Sequence, residues 1–349
     1  MGARPKGIAS TRFAASLLAG GLALCAACPA LAQDPVAEFY KGKQVTITVG
    51  FGSGGSASLY AQLLGRHMGR YLPGSPGFVV QHMPGAGGLV VTNHAANSAA
   101  RDGTAFTITD RAVPLEPLLG NPNAKFDARR FGWVGNANVE YTTCIAWHTA
   151  KVKTLQDAMT HELVAGGTGA EATAVIFPKA VNKLLGTKIK IVLGYPGSTE
   201  ILLAMERGEI ESFCAIGWTF VKLRKGDWLR DKKINVLFQM ALAKHPEIPD
   251  VPFIPDLAKT PEDRQVFEFL FTPQTFGRAF FAPPDVPPAR LQALRGAFER
   301  TLQDRAFLDE AERMGIEVQF VSGEETQAQI ERVYTTPKAV IERARSITQ

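Results

Sequence analysis

From Gln44 onward, short β-branched runs alternate with stretches whose apolar residues recur three and four positions apart. "QVTITVG" (44–50) reads as a strand, and residues 57–71 as a helix with Leu59, Leu63, Leu64 and Met68 on one face. "GFVVQHM" (77–83), a helix over 89–99 and "TAFTITD" (104–110) continue the rhythm. Such alternation predicts an α/β unit with a largely parallel sheet.

A less regular passage, 113–130, carries Pro114, Pro117 and Pro122, and the strand-like "FGWVGNANV" and "YTTCIAW" follow it. The pattern then repeats through "ELVAGGTG", a helix over 171–185, "TKIKIVLGYPG", the helix "STEILLAMERG" and the strand "EIESFCAIGW", which predicts a second α/β domain. Five prolines from Pro246 to Pro261 break the periodicity. Beyond them "DVPPARLQALRGAF" announces a helix capped by Asp285, and the tail from Gly323 to Arg345 also has helical spacing.

The length of 349 residues exceeds the usual size of one core, in agreement with two domains. The first 32 residues form a separate case. Arg4, Lys6 and Arg12 precede an apolar run from Phe13 to Ala27 and then "ALA" at 30–32, the pattern of a secretory signal peptide cleaved after Ala32. Neither Cys25 nor Cys28 combines a preceding small residue with a leucine three before it, so a lipid anchor is not indicated. Without the leader and its three basic residues the formal charge falls from +5 to +2, which argues against a nucleic-acid partner. Cys144 and Cys214 alone would remain after export into an oxidising compartment, where a disulfide between them is expected, two buried thiols being the alternative.

The turn after the first strand is where chemistry is expected. Gly52, Gly54 and Gly55 let a ligand approach the backbone, Ser53, Ser56 and Ser58 add hydroxyls, and the helix N-terminus that follows favours an anion. From Phe39 to Arg101 there is no acidic residue over 63 positions, while Lys41, Lys43, Arg66, Arg70 and Arg101 are basic. Gly50, Gly52 and Gly55 also spell GxGxxG, but the acid that would hold a ribose is missing until Asp102, which excludes a dinucleotide enzyme on this motif. "MPGAGG" (83–88) forms a second turn on the same sheet edge, and two such turns make a crevice. His82 lies near its edge, whereas His67 and His94 read as surface helix residues. No GxSxG, HExxH or P-loop is present and the histidines lack metal-ligand spacing, so no catalytic residue, metal or cofactor is expected.

"VGFGSGGSASLYAQLL", "VVQHMPGAGGLVVTNHAAN" and "DGTAF" resemble the extracytoplasmic solute receptors of the tripartite tricarboxylate transporter, the Bug family. "VAGGTGAEATAVIFPKAVNKLLG", "GYPGSTEILLAMERGEIE" and "FFAPPDVPPARLQALRGAF" extend the resemblance over essentially the whole exported chain. It implies a two-lobed, type II periplasmic-binding-protein fold, each lobe a mixed sheet flanked by helices, closing on a small carboxylated ligand. Lobe one is expected over 34–142 plus 245–349 and lobe two over 143–244. The ligand residues it implies are Phe51, Gly52, Ser53, Gly54, Gly55, Ser56 and Ser58, then Pro84, Gly85, Ala86, Gly87 and Gly88. Across the crevice they are Gly167, Thr168, Gly169 and Ala170, with Tyr195, Pro196 and Gly197. Ser58 stands where many relatives carry an Asp, which disfavours a cationic group on the ligand. Arg111, beside Asp110 at the end of the third strand, suits a further carboxylate, or else pairs with Asp110 or a neighbouring loop; Trp218 suits an apolar part of the ligand, or else the lobe core. The expected protein is a periplasmic monomer that performs no reaction and hands its ligand to integral membrane transporter subunits. A sensor subunit for a signalling partner, or an exported enzyme using the serine-rich turn, are the alternatives.

Overall fold

The computed structural model describes Met1, Gly2 and residues 34–348. Apart from Met1 and Gly2, the expected leader, with Cys25 and Cys28, lies outside the described residues. Eleven strands form two sheets among those described. In chain order they are β1 (Gln44–Val49), β2 (Gly77–His82), β3 (Ala105–Ile108), β4 (Gly132–Asn136), β5 (Thr142–Trp147), β6 (Leu163–Gly166), β7 (Ile189–Val192), β8 (Ser212–Gly217), β9 (Ile234–Met240), β10 (Ala279–Ala282) and β11 (Val321–Ser322).

The first sheet runs β11-β4-β10-β3-β1-β2, with β1 parallel to β2 and β3 and with β10 antiparallel to β3 and β4. Val45, Ile47 and Val49 of β1 are fully buried and pack with Leu63, Leu64 and Met68 of the helix that follows, as the 3.6-residue spacing requires. The second sheet runs β7-β6-β8-β5-β9, with β6 parallel to β7 and β8, and β5 antiparallel to β8 and β9. The chain passes between sheets twice, after β4 and after β9. Helices Pro261–Phe271 and Lys338–Thr348, which belong to the stretch expected in the first lobe, pack against Thr173–Leu185 of the second; Phe271 and Phe177 meet ring to ring at 4.8 Å.

Two local expectations are corrected. Helix Pro288–Gln303 has Pro287 as its N-cap and no side-chain cap. Asp285 sits two residues earlier in a left-handed turn (φ 65°), and its carboxylate faces Arg101 and Arg130 instead. His67 is not on the surface: it is buried edge-on against Phe307 and hydrogen-bonded to Glu310.

Cys144 and Cys214 face one another across β5 and β8, their sulfurs within bonding distance.

Candidate ligand-binding site

At the C-terminal edge of β1 the chain turns through Phe51–Gly55 and enters helix Ser56–His67, whose N-cap, Gly55, is extended and offers no side-chain cap. The first-turn amides of a helix have no intrahelical partner, and with the dipole they leave a positive end that an anion can satisfy. Gly55, Ser56 and Ala57 line a cavity of about 680 Å³ together with Phe51, Thr109, Asp110 and Arg111. The opposite wall consists of Thr168, Thr173, Ala174 and Ser198 from the turns of the second sheet, and Phe213, Ala215, Ile216, Gly217 and Phe220 in and after β8. Arg278, just before β10, completes it.

Four helices therefore begin at this cavity: Ser56–His67, Thr173–Leu185, Ser198–Glu206 and Trp218–Arg224, the last through its N-cap Gly217. The second is already satisfied. Asp110 accepts from the Thr173 amide at 3.2 Å and its hydroxyl at 3.1 Å, and from the Ala112 amide at 2.8 Å. A first-sheet carboxylate thus caps a second-sheet helix; it forms no ion pair with Arg111 and acts on it only through space. Arg111 is buried; one terminal nitrogen donates to Thr142 Oγ1 at 2.7 Å, and its Nε has no partner. Burial pulls its pKa down, with Glu140 pushing it up, Arg278 pulling it down and Asp110 pushing it up again. The guanidinium starts so far above neutrality that it stays charged.

Thr142 donates in turn to Gln274 (2.8 Å), whose amide donates to the Met240 carbonyl (2.9 Å), so Arg111 is tied to both crossings between the sheets. Arg278 is held there as well: Nη2 lies 2.8 Å from Glu140 Oε1 and donates to Ser56 Oγ at 3.0 Å, and Nη1 donates to the Gly277 carbonyl at 2.7 Å.

A second cleft of about 650 Å³ adjoins the first through Phe51 and Thr168 and is lined by Pro84, Gly85, Ala86, Gly87, Tyr195 and Pro196. Its PGAGG turn has a different physical role from the first turn. Gly85, Ala86, Gly87 and Gly88 all have positive φ, and a Cβ on Gly169 would fall 2.2 Å from the Gly87 nitrogen. Here glycine permits backbone to meet backbone between the two sheets' turns. The first turn touches the same far side by hydrogen bonds, Gly52 N to Pro196 O (3.1 Å) and Thr199 Oγ1 to Gly54 O (3.0 Å).

The remaining expected residues are dispersed. Ser53 is exposed and lines neither cleft. Ser58 is fully buried, 2.8 Å from His82 Nε2 and accepting from Gln62, and lines neither cleft. Gly88 packs against Thr109, Gly167 lies between Val175 and Ile191, and Ala170 lines a separate cleft beside Glu116 and Glu171. Gly197 is the N-cap of helix Ser198–Glu206. Trp218 belongs to the core beneath β8 and donates its indole N–H to Glu247 at 3.0 Å; Phe220, two residues on, lines the cavity instead. Sequence reasoning missed Glu140 and Arg278, for which no local pattern exists. It also missed Phe213 and Ala215, which alternation along β8 could have put on one face.

The family model for the tripartite tricarboxylate transporter family receptor matches residues 74–345. No curated protein is similar enough to be matched to this chain. Among solved structures, that of the periplasmic binding protein BugD is similar with a TM-score of 0.68 at 18% identity, over 87% of this chain and 98% of that one. MatC from Rhodopseudomonas palustris, solved with bound malate, gives 0.66 at 19% identity over 88% and 99%. An R. palustris protein solved with adipate gives 0.66 at 18% over 88% and 97%. These likenesses show the fold, two mixed sheets flanked by helices in the periplasmic-binding-protein arrangement. With most of its length matched by the family model and this fold around the cavity, the chain belongs to the receptors of the tripartite tricarboxylate transporter family.

Proposed function

We propose that this receptor is exported to the periplasm, its leader removed after Ala32, and there binds a small carboxylated compound between two lobes, 34–142 plus 245–349 and 143–244. It passes the ligand, as a monomer and without chemical change, to the integral membrane subunits of its transporter. Among the described residues no helix is long and apolar enough to cross a membrane. In this reading Cys144 and Cys214 are bonded and hold β5 to β8, which non-reducing peptide mapping would recover as one linked species.

The observation that carries the ligand reading is Arg111: a buried guanidinium on a cavity wall, its Nε without a partner, facing a helix N-terminus that no side chain caps. A carboxylate satisfies both at once, accepting from the guanidinium and from first-turn amides. The relatives solved with malate and with adipate support the same ligand class.

A thermal-shift screen of mono-, di- and tricarboxylates, aromatic acids and neutral sugars tests it. A ligand at a hundred times its Kd adds about 2.7 kcal/mol to stability, a readily measured rise in midpoint. Arg111→Met is expected to weaken a carboxylate by about 10- to 150-fold, the range for a hydrogen bond to a charged group. Stabilisation by a sugar or nucleotide and by no carboxylate would overturn the reading.

A further inference from the structure

Four ionisable side chains line or border the cavity, Asp110, Arg111, Arg278 and Glu140, and their partners are unequal. Asp110 spends its oxygens on the Ala112 amide and on the N-terminus of helix Thr173–Leu185. Glu140, buried behind the wall, forms an ion pair with Arg278 at 2.8 Å. Arg111 has only the Thr142 hydroxyl, and no described carboxylate forms an ion pair with it. Arg111 is therefore the one cation of the four side chains with no carboxylate in contact; Glu140 and Asp110 act on it only through space. Around that cation the wall is largely apolar: Phe51, Ala174, Phe213, Ala215, Ile216 and Phe220.

Building on the carboxylate-receptor reading, we infer that the ligand is a monocarboxylate with an apolar body, and that Glu140 is the specificity-determining residue that rejects a second carboxylate. One carboxylate at Arg111 gives that guanidinium the contacting anion it lacks. A second would have Arg278 as its nearest cation, and Arg278 is already neutralised by Glu140, so the newcomer would be a buried anion beside a buried anion. Glu140 cannot swing away to make room. Gly217 and Gly277 form its slot so closely that a Cβ on either would fall 2.2 Å from Glu140 Oε2 or 2.4 Å from Glu140 Cγ. Glu140 does not touch the ligand in this scheme; it acts by holding Arg278.

Hexanoate and adipate share a six-carbon backbone and differ in one terminal group, so titration calorimetry of the full chain with each isolates the second carboxylate. Hexanoate is expected to bind at least tenfold more tightly. Glu140→Gln, which leaves Arg278 charged and uncompensated, is expected to shrink the ratio of the two Kd values at least tenfold, through a gain for adipate. Should that variant fail to fold, the unmodified protein decides the matter alone. Adipate binding as tightly as hexanoate, or an unchanged ratio in folded Glu140→Gln, overturns the inference and leaves the carboxylate reading standing. No binding of either acid at millimolar concentration overturns the inference, and the carboxylate reading falls with it only if no carboxylate of the thermal-shift screen stabilises the protein.

Discussion

Two buried carboxylates, Glu140 and Glu116, are alike in depth, 7% and 5% exposed, and unlike in company. Glu140 faces a guanidinium at 2.8 Å. Glu116 receives a single amide hydrogen bond from Asn121 at 2.7 Å, with the carboxylate of Glu171 close by on the other side of that amide. Lys179, on the same cleft, is occupied by the Thr348 carbonyl at 2.9 Å. Burial pushes the pKa of Glu116 up to about 7; the Asn121 bond pulls it down and Glu171 pushes it up again. Depth does not decide whether a buried acid is charged near neutrality; the partner does.

The largest expected effect breaks the paired case. Glu140→Ala leaves Arg278 without its counter-ion and is expected to cost about 3–5 kcal/mol in urea unfolding. A loss below about 1 kcal/mol would mean that water already shares the pair.

The next turns on pH. Glu116 holds its proton more tightly folded (pKa about 7) than at its ordinary 4.5, so on raising the pH the unfolded chain releases that proton first. Its contribution is full below about pH 4.5, declines through that window and is gone above about pH 7, about 3 kcal/mol in all. Glu116→Gln should flatten that part of the stability–pH profile and raise stability at pH 8. A profile equally steep in the variant would assign the dependence elsewhere.

Smaller effects refine the contrast. Gly277→Ala inserts a methyl 2.4 Å from Glu140 Cγ, which the ion pair holds in place, and is expected to cost about 1–3 kcal/mol by overpacking. Asn121→Ala removes the one amide on Glu116, costs about 1 kcal/mol, and should move its titration, followed by carboxyl NMR, to higher pH.

Much of the fold was legible because its signals are local. The strand–glycine–helix unit at Val45–Met68 announces itself through period-two and period-3.6 spacing, and the open helix end after Gly55 follows from the absence of a capping side chain at that position. Local signals also misled. Ser58 reads as a ligand hydroxyl beside the glycine turn, yet a helix rotates about 100° per residue, so two positions after Ser56 the side chain turns toward His82 and the interior. Asp285 reads as a cap, but the turn at φ 65° places it two residues before the N-cap.

By itself, then, the sequence determined the two α/β units, the glycine turns and the helix N-terminus without a capping side chain, because each depends on residues within a few positions of one another. Tertiary structure alone decided which turn presents its amides to a cavity and which is pressed against Gly169, and that Asp110 caps a helix of the other sheet. It also decided that Glu140 pairs with Arg278 while Arg111 meets the Thr142 hydroxyl and no carboxylate. The physical reason is that an ion pair or a backbone-to-backbone contact is set by distances of a few ångströms in space, and residues 110 and 173, or 140 and 278, acquire those distances only when both crossings between the sheets are in place.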